Sequence, residues 1–161
     1  KILKYAEEHV DATGLGTTCV CSIITDDFLL FGNVGDSSGY VLKNGKLYKV
    51  TRDHTLVNIL LENGELTESA AKTHPQKNVL MKALGASEEI EMDIFDVEKT
   101  LDGVLLCSDG LTNMVSVEQM EKILGDEDLE LEEQVGKMIM KANMRGGTDN
   151  ITVACVRFGG E

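Results

Sequence analysis

Apolar positions along this 161-residue chain fall into two kinds of run. The first kind is short, β-branched and concentrated near the start: "TTCVCSIIT", "FLLFGNV" and "SGYVLKNGKLYKV". Asp26-Asp27 separates the first two runs. Asn44-Gly45, the strongest short hairpin signal, divides the third. Residues 16–50 are therefore expected to form a meander of about four strands.

The second kind has helical spacing. In "HTLVNILLENG", Leu56, Ile59 and Leu60 share a face and Gly64 ends the run. "LTESAAKTH" offers a second short helix with Thr67 as N-cap, closed by Pro75, the sole proline. "SVEQMEKIL" starts at Ser116 as N-cap. "LELEEQVGKMIMKANM" turns Leu131, Val135, Met138 and Ile139 inward, and Met138, Met140 and Met144 read as core packing. The opening "KILKYAEEHVDATG" reads as the end of a helix, with Ile2, Tyr5, Ala6 and His9 near one face and Gly14 as its stop. Three more strands follow the central helices. "EIEMDIFDV" alternates and predicts a half-buried strand with an acidic outer face, "GVLLCS" a buried strand, and "NITVACVRF" the last strand. Strands, helices, strands, helices, strand is an α+β order: antiparallel sheet covered by helices.

Composition narrows the function. The chain carries 28 acidic residues against 15 basic ones, a net charge of −13. Nucleic acid is not expected as a partner, because binding it needs clustered Lys and Arg to replace counterions. An anionic membrane surface is disfavoured for the same reason. There is no apolar run of membrane length and no signal-peptide pattern, so a cytoplasmic location is expected. With 4% aromatics and no Trp, the core must be mostly Leu, Ile, Val and Met. Cys19, Cys21, Cys107 and Cys155 sit inside apolar β-like runs without a C-x-x-C spacing, which reads as reduced core thiols rather than zinc ligands.

Three carboxylates stand apart. Asp36 and Asp109 each follow an apolar strand at a glycine-containing turn, and Asp149 precedes one. Each alone is also what an ordinary Asp-Gly turn would carry. Converging at one sheet edge, they would repel one another. A hard divalent cation such as Mg²⁺ or Mn²⁺ relieves that repulsion, since both prefer oxygen ligands. A calcium-sensor reading lacks its D-x-D-x-D-G loop. Ser108 as a nucleophile lacks a G-x-S-x-G elbow and a paired base.

The motifs "GNVGDSSGYVL", "VTRDHTLVNIL", "NVLMKALG", "VLLCSDGLTNMV" and "GGTDNITVACV" follow one another in one order. Together they resemble the metal-dependent PPM/PP2C family of protein serine/threonine phosphatases in its bacterial form, from about Gly14 to the C-terminus. The resemblance implies a PP2C-like α-β-β-α sandwich of two antiparallel sheets flanked by helices, incomplete at the N-terminus. It implies hydrolysis of phosphoserine and phosphothreonine in proteins through a metal-activated water, with two or three Mn²⁺ or Mg²⁺ ions in the complete family site. Asp109 resembles the family's central metal aspartate and Asp149 its partner on the same ion. Asp36 resembles a ligand of the third, weaker ion. Gly110 and Asn150 would support the turns. Residues 54–77 resemble the mobile flap beside the active site, which brings His54, His74 and Asn78 into the substrate region. His54, in "TRDHT", is readable as a ligand or general acid, but more simply as the turn before the flap helix. Phosphorylated proteins are the implied substrates and a cognate Ser/Thr kinase the implied counterpart.

The resemblance departs in places. The family's Arg-containing "NED"-type segment and its "DGMGG" motif do not occur here. The missing aspartate bridges two metals in the family, and the missing arginine grips phosphate. Ser38 stands where Arg usually follows "GDS", and Met81-Lys82 replace the Thr-Arg of "NVLTRALG". The chain thus resembles the C-terminal two-thirds of a phosphatase. Exposed sheet edges are then expected to favour instability, oligomers or a swapped dimer. The alternative function is a catalytically impaired binding module.

Overall fold

The computed structural model describes residues 1–98 and 100–159. Seven strands form two antiparallel sheets. β1 (Cys19–Ile24), β2 (Leu29–Val34) and β5 (Asp93–Val97) make the first, in the order β1-β2-β5. β3 (Ser38–Lys43), β4 (Lys46–Lys49), β6 (Gly103–Cys107) and β7 (Val153–Arg157) make the second, in the order β4-β3-β6-β7. Six α-helices accompany them: α1 (Ile2–Glu8), α2 (Leu56–Glu62), α3 (Glu68–Thr73), α4 (Asp109–Thr112), α5 (Val117–Leu124) and α6 (Leu131–Met144).

The Asn44-Gly45 hairpin forms between β3 and β4, with φ of 52° and 73° at its two corner residues. The expected meander is otherwise corrected. β1–β2 and β3–β4 are both hairpins, but they belong to different sheets. The chain crosses from one sheet to the other at Gly35-Asp36-Ser37. Local alternation reports only which side of a strand is apolar, so it is blind to this crossing.

The sheets pack face to face. Leu29 and Phe31 of β2 meet Val41 of β3 and Val104 of β6, with Phe95 and Val97 alongside. Phe31 is fully buried, and such burial stabilises by about 2–3 kcal/mol. The other face of the second sheet, with Tyr40, Leu42, Leu105 and Cys107, is covered by Leu111, Met120, Ile123, Leu124, Met138 and Ala142 from α4, α5 and α6. This larger cluster holds the second sheet rigid.

Helix caps follow the sequence in part. Thr55 and Thr67 cap α2 and α3 by accepting from the N–H groups of Asn58 and Ala70. α6 is capped by Glu130 and Glu133 acting reciprocally. Its buried line is Gln134, Met138 and Ala142, so only one of the three methionines is core. Met140 and Met144 are exposed, because they lie round the helix from Met138.

β5 is a second correction. Its alternation inverts at Ile94-Phe95, so Asp93, Phe95 and Val97 turn inward while Ile94 and Asp96 face out. The acidic outer face is therefore only half acidic. Opposite Ile94 in the register stand Gly32 and Cys21, and opposite Asp96 stand Leu30 and Ile23. This outer face of the first sheet is largely apolar, with Ile23 and Ile94 exposed. All four cysteines are free. Among the described residues no helix is long and apolar enough to cross a membrane.

Candidate metal centre

Strand register brings the three carboxylates to one edge. Ser38, at the start of β3, pairs with Cys107 at the end of β6, and Cys107 pairs with Val153 at the start of β7. Asp36 lies two residues before the first of these, Asp109 two after the second and Asp149 four before the third. All three turns therefore leave the same end of the second sheet.

The Asp36 turn is built from buried polar groups. Gly35 has φ +104°, and a side chain there would run into Thr18 at 2.3 Å. Asn33, fully buried in β2, donates through Nδ2 to the carbonyls of Gly35 at 3.2 Å and Arg52 at 2.7 Å. Its Oδ1 is buried and has no hydrogen-bond partner among the described residues. The Gly35 N–H donates to His54 Nδ1 at 3.0 Å, and the His54 N–H donates to the Gly35 carbonyl at 2.9 Å. Thr18 and Ser37 join hydroxyls at 2.8 Å. A polar side chain inside an apolar strand was the available signal for Asn33. Thr18 carried none.

Asp109 opens α4, directly after Ser108. The Ser108 hydroxyl donates to the Asn150 carbonyl at 3.1 Å and accepts from the Thr152 N–H at 3.0 Å. Ser108 is therefore a clamp on the Asp149 turn. Gly110 packs against the same turn, where an added Cβ would lie 2.3 Å from the Asn150 carbonyl oxygen. Asn113 Nδ2 donates to Asp109 Oδ2 at 3.1 Å. Asp149 Oδ1 accepts from the Asn150 N–H at 2.7 Å.

The carboxylates sense one another. Burial, then the charge of Asp109, pushes the Asp36 carboxyl up to about 6. Burial, then the charge of Asp149, raises Asp109 as well. Among the described residues none of the three forms an ion pair. Lys49 offsets Asp36 only weakly, being held at 2.7 Å by both oxygens of Asp53. A set of uncompensated hard oxygens fits a divalent cation of the Mg²⁺ or Mn²⁺ type. The coupling runs in series, Asp36 to Asp109 to Asp149. Among the described residues no group of three His, Cys, Asp or Glu gathers closely enough to hold one ion.

Residues 54–77, expected from the sequence to be a flap, leave and return beside this edge. Their neck closes where Thr55 bridges Leu80 and Leu56 N–H donates to the Val79 carbonyl at 2.9 Å. His54 Nε2 donates to Asp93 Oδ2 at 3.0 Å, and Lys82 Nζ to Asp93 Oδ1 at 3.0 Å. These bonds, the His54 one first, hold the Asp93 carboxyl below its ordinary range. His74 ends α3 and accepts the Gln76 N–H at 3.1 Å, and Asn78 is exposed. Among the described residues no hydrogen bond joins either to the carboxylates. Asp93 went unnoticed in the sequence, since its alternation pointed outward.

Comparison with known proteins gives the same picture throughout. The sequence model of the family described as Protein phosphatase 2C matches residues 2–145. The serine/threonine phosphatase Stp of Listeria welshimeri is 47% identical over 157 residues, 97% of this chain and 62% of the relative. The crystal structure of the serine/threonine phosphatase Stp1 from Staphylococcus aureus superposes with a TM-score of 0.92 at 32% identity, covering 99% of this chain and 63% of that one. The catalytic domain of the serine/threonine protein phosphatase PstP, solved in complex with two manganese ions, superposes at 0.78 and 33% identity over 94% of this chain and 63% of that one. The chain thus spans about 62% of the length of the curated relatives it matches.

Proposed function

The chain belongs to the protein phosphatase 2C family, matched over residues 2–145, and from that premise we propose that it serves metal-dependent hydrolysis of phosphoserine and phosphothreonine in proteins. The observation that carries this reading is the convergence of Asp36, Asp109 and Asp149 from three strand ends in register, without ion-pair partners. Asp109 and Asp149 would hold one cation and Asp36 would contribute to another. Bound there, Mn²⁺ or Mg²⁺ supplies a Lewis acid that activates water, orients the phosphate and neutralises developing charge. Manganese is supported by the two ions in the PstP structure.

The chain's own residues give that chemistry its frame. Ser108 and Gly110 fix the Asp149 turn against the start of α4, so the two carboxylates keep a constant separation. Asn113 orients Asp109 by donating to one of its oxygens. Asn33, His54 and Gly35 fix the turn that presents Asp36. His74, in the 54–77 flap, and Asn78, just after it, border the substrate. Phosphoproteins are the substrates, a Ser/Thr kinase makes them, and the cytoplasm is the location. The test is hydrolysis of a phosphothreonine peptide by this chain in Mn²⁺, with Asp109→Ala as control. Activity that is Mn²⁺-dependent and lost in the variant is expected, and equal activity in both would sink the assignment.

One observation favours a second reading, a cation-binding module impaired in catalysis: the described residues gather no three-ligand group. Mn²⁺ binding without hydrolysis would select it.

A further inference from the structure

His54 spends every hydrogen-bonding group it has. Its backbone N–H donates to the Gly35 carbonyl at 2.9 Å and its backbone carbonyl accepts from Met81 N–H at 2.8 Å. Its ring accepts from the Gly35 N–H at 3.0 Å through Nδ1 and donates to Asp93 at 3.0 Å through Nε2. The side chain is 9% exposed, so water does not compete for these bonds. A backbone N–H can only donate. Nδ1 therefore carries the lone pair and Nε2 the proton, and a carboxylate is the acceptor suited to that proton.

We propose that His54 is a positioning residue for Asp36, held by Asp93 in the one tautomer that can accept the Gly35 N–H. The relay runs Asp93, His54, Gly35, Asp36. It rests on the reading of Asp36 as a cation ligand, and His54 itself contacts no cation and no substrate. Gly35 is grasped at both ends of one residue, its N–H by the ring and its carbonyl by the His54 N–H and Asn33 Nδ2. The peptide that leads into Asp36 is thereby fixed in rotation. Fixing it sets the direction in which the next side chain leaves the backbone. Asp93 has a second duty, since its other oxygen takes Lys82 from the segment that returns after residue 77.

Two substitutions of similar size separate this role from mere packing. In His54→Asn the amide oxygen falls near the position of Nδ1, so the acceptor for Gly35 survives and the arm to Asp93 is lost. In His54→Gln the polar end reaches the Nε2 position, so the arm to Asp93 survives and the Gly35 acceptor is lost. The primary measurement is amide hydrogen exchange of the Gly35 N–H by NMR in the cation-free chain. His54→Asn is expected to stay within about threefold of the unsubstituted chain, and His54→Gln to exchange at least about tenfold faster, the scale of one buried hydrogen bond. Calorimetric titration with Mn²⁺ follows. His54→Asn is expected to keep, and His54→Gln to lose, the part of the affinity that Asp36→Ala removes. Equal exchange in the two variants, in either direction, overturns the proposal. Absence of Mn²⁺ binding by the unsubstituted chain would overturn the reading of Asp36 as a ligand, while the Gly35 exchange rates would still decide what His54 does.

Discussion

The turn that carries Asp36 and the turn that carries Asp149 bring the same side chain to the same sheet edge by opposite means. The first joins the two sheets and is held by side chains: Asn33, His54 and the Thr18–Ser37 pair. Its carboxylate is half-buried and pushed up to about 6. The second is an exposed, glycine-rich connection between α6 and β7. It is held by backbone groups, by the Ser108 hydroxyl and by the close approach of Gly110. A buried turn fixes its carboxylate in advance and bears the repulsion. An exposed turn leaves the repulsion to solvent and depends on its neighbour for position. On the proposed reading of both carboxylates as cation ligands, the two turns divide preorganisation and adaptability between them.

Removing the carboxylate that stands between the two turns should have the largest effect. Asp109 lies between Asp36 and Asp149 in the series of charges. Asp109→Ala is expected to lower Mn²⁺-dependent kcat/KM by at least about 100-fold, the scale of losing one strong electrostatic contact in an active site. Circular dichroism should show an unchanged fold, since Asp109 makes no core contact. Retained turnover would sink the assignment of Asp109, and with it the series that links the two turns. Gly110→Ala comes next. Its new methyl meets the Asn150 carbonyl backbone at 2.3 Å, so the Asp149 turn must move. A destabilisation of about 2–3 kcal/mol is expected in denaturant unfolding, together with weaker Mn²⁺ binding. An alanine variant as stable as the original would show the Asp149 turn to be free of its neighbour.

Asp36 offers a change of opposite sign. Its carboxyl goes from the ordinary 3.8 up to about 6 in the fold, which means that folding favours the protonated form. The stabilisation from that proton is full below about pH 4 and is lost as pH rises through about 6. The cation-free chain should therefore lose at most about 3 kcal/mol from this group between those limits, and less where water screens it. Asp36→Asn removes the charge. In chelator at pH 7 it is expected to unfold at a higher denaturant concentration than the unsubstituted chain, and to lack the slope between pH 4 and 7. Added Mn²⁺ should stabilise the variant less than the unsubstituted chain, by the part of the affinity that Asp36 supplies. A variant less stable than the original in chelator would mean that the buried turn bears no repulsion.

The motifs around these two turns were legible to different depths. "GDS", "SDG" and "GGTD" each pair a carboxylate with a glycine at a strand end, and a strand end is visible as a break in an apolar run. The Asn44-Gly45 hairpin was visible because its turn chemistry is local. The crossing between sheets at Gly35-Asp36-Ser37 was not, because strand alternation does not say which sheet a strand joins. Asp93 was missed for a related reason. Its strand inverts at Ile94-Phe95, and only pairing with β2 decides that Asp93 turns in toward His54 and Lys82. His54 looked like part of a helix start, and Thr55 is indeed the cap of α2. The ring's bonds to residues 19 positions back and 39 positions ahead lie beyond any local window.

The smallest expected change is also the sharpest for the comparison. Asp149 is exposed and, among the described residues, accepts only the N–H of its own neighbour Asn150. An asparagine can accept the same N–H with the same geometry. Asp149→Asn should therefore shift the unfolding free energy of the cation-free chain by no more than about 0.5 kcal/mol, as surface substitutions usually do. It also removes the charge that raises Asp109, so any shift should be toward stability. On the proposed reading the same variant takes one charged oxygen ligand from the cation, and its response to Mn²⁺ should fall nearly as far as that of Asp109→Ala. A thermal melt with and without Mn²⁺ reads both quantities in one experiment. Silence in chelator with loss of the Mn²⁺ response would place Asp149 with function and apart from the fold. A large loss of stability in chelator would show that the exposed turn is as structural as the buried one, and the contrast between them would fail.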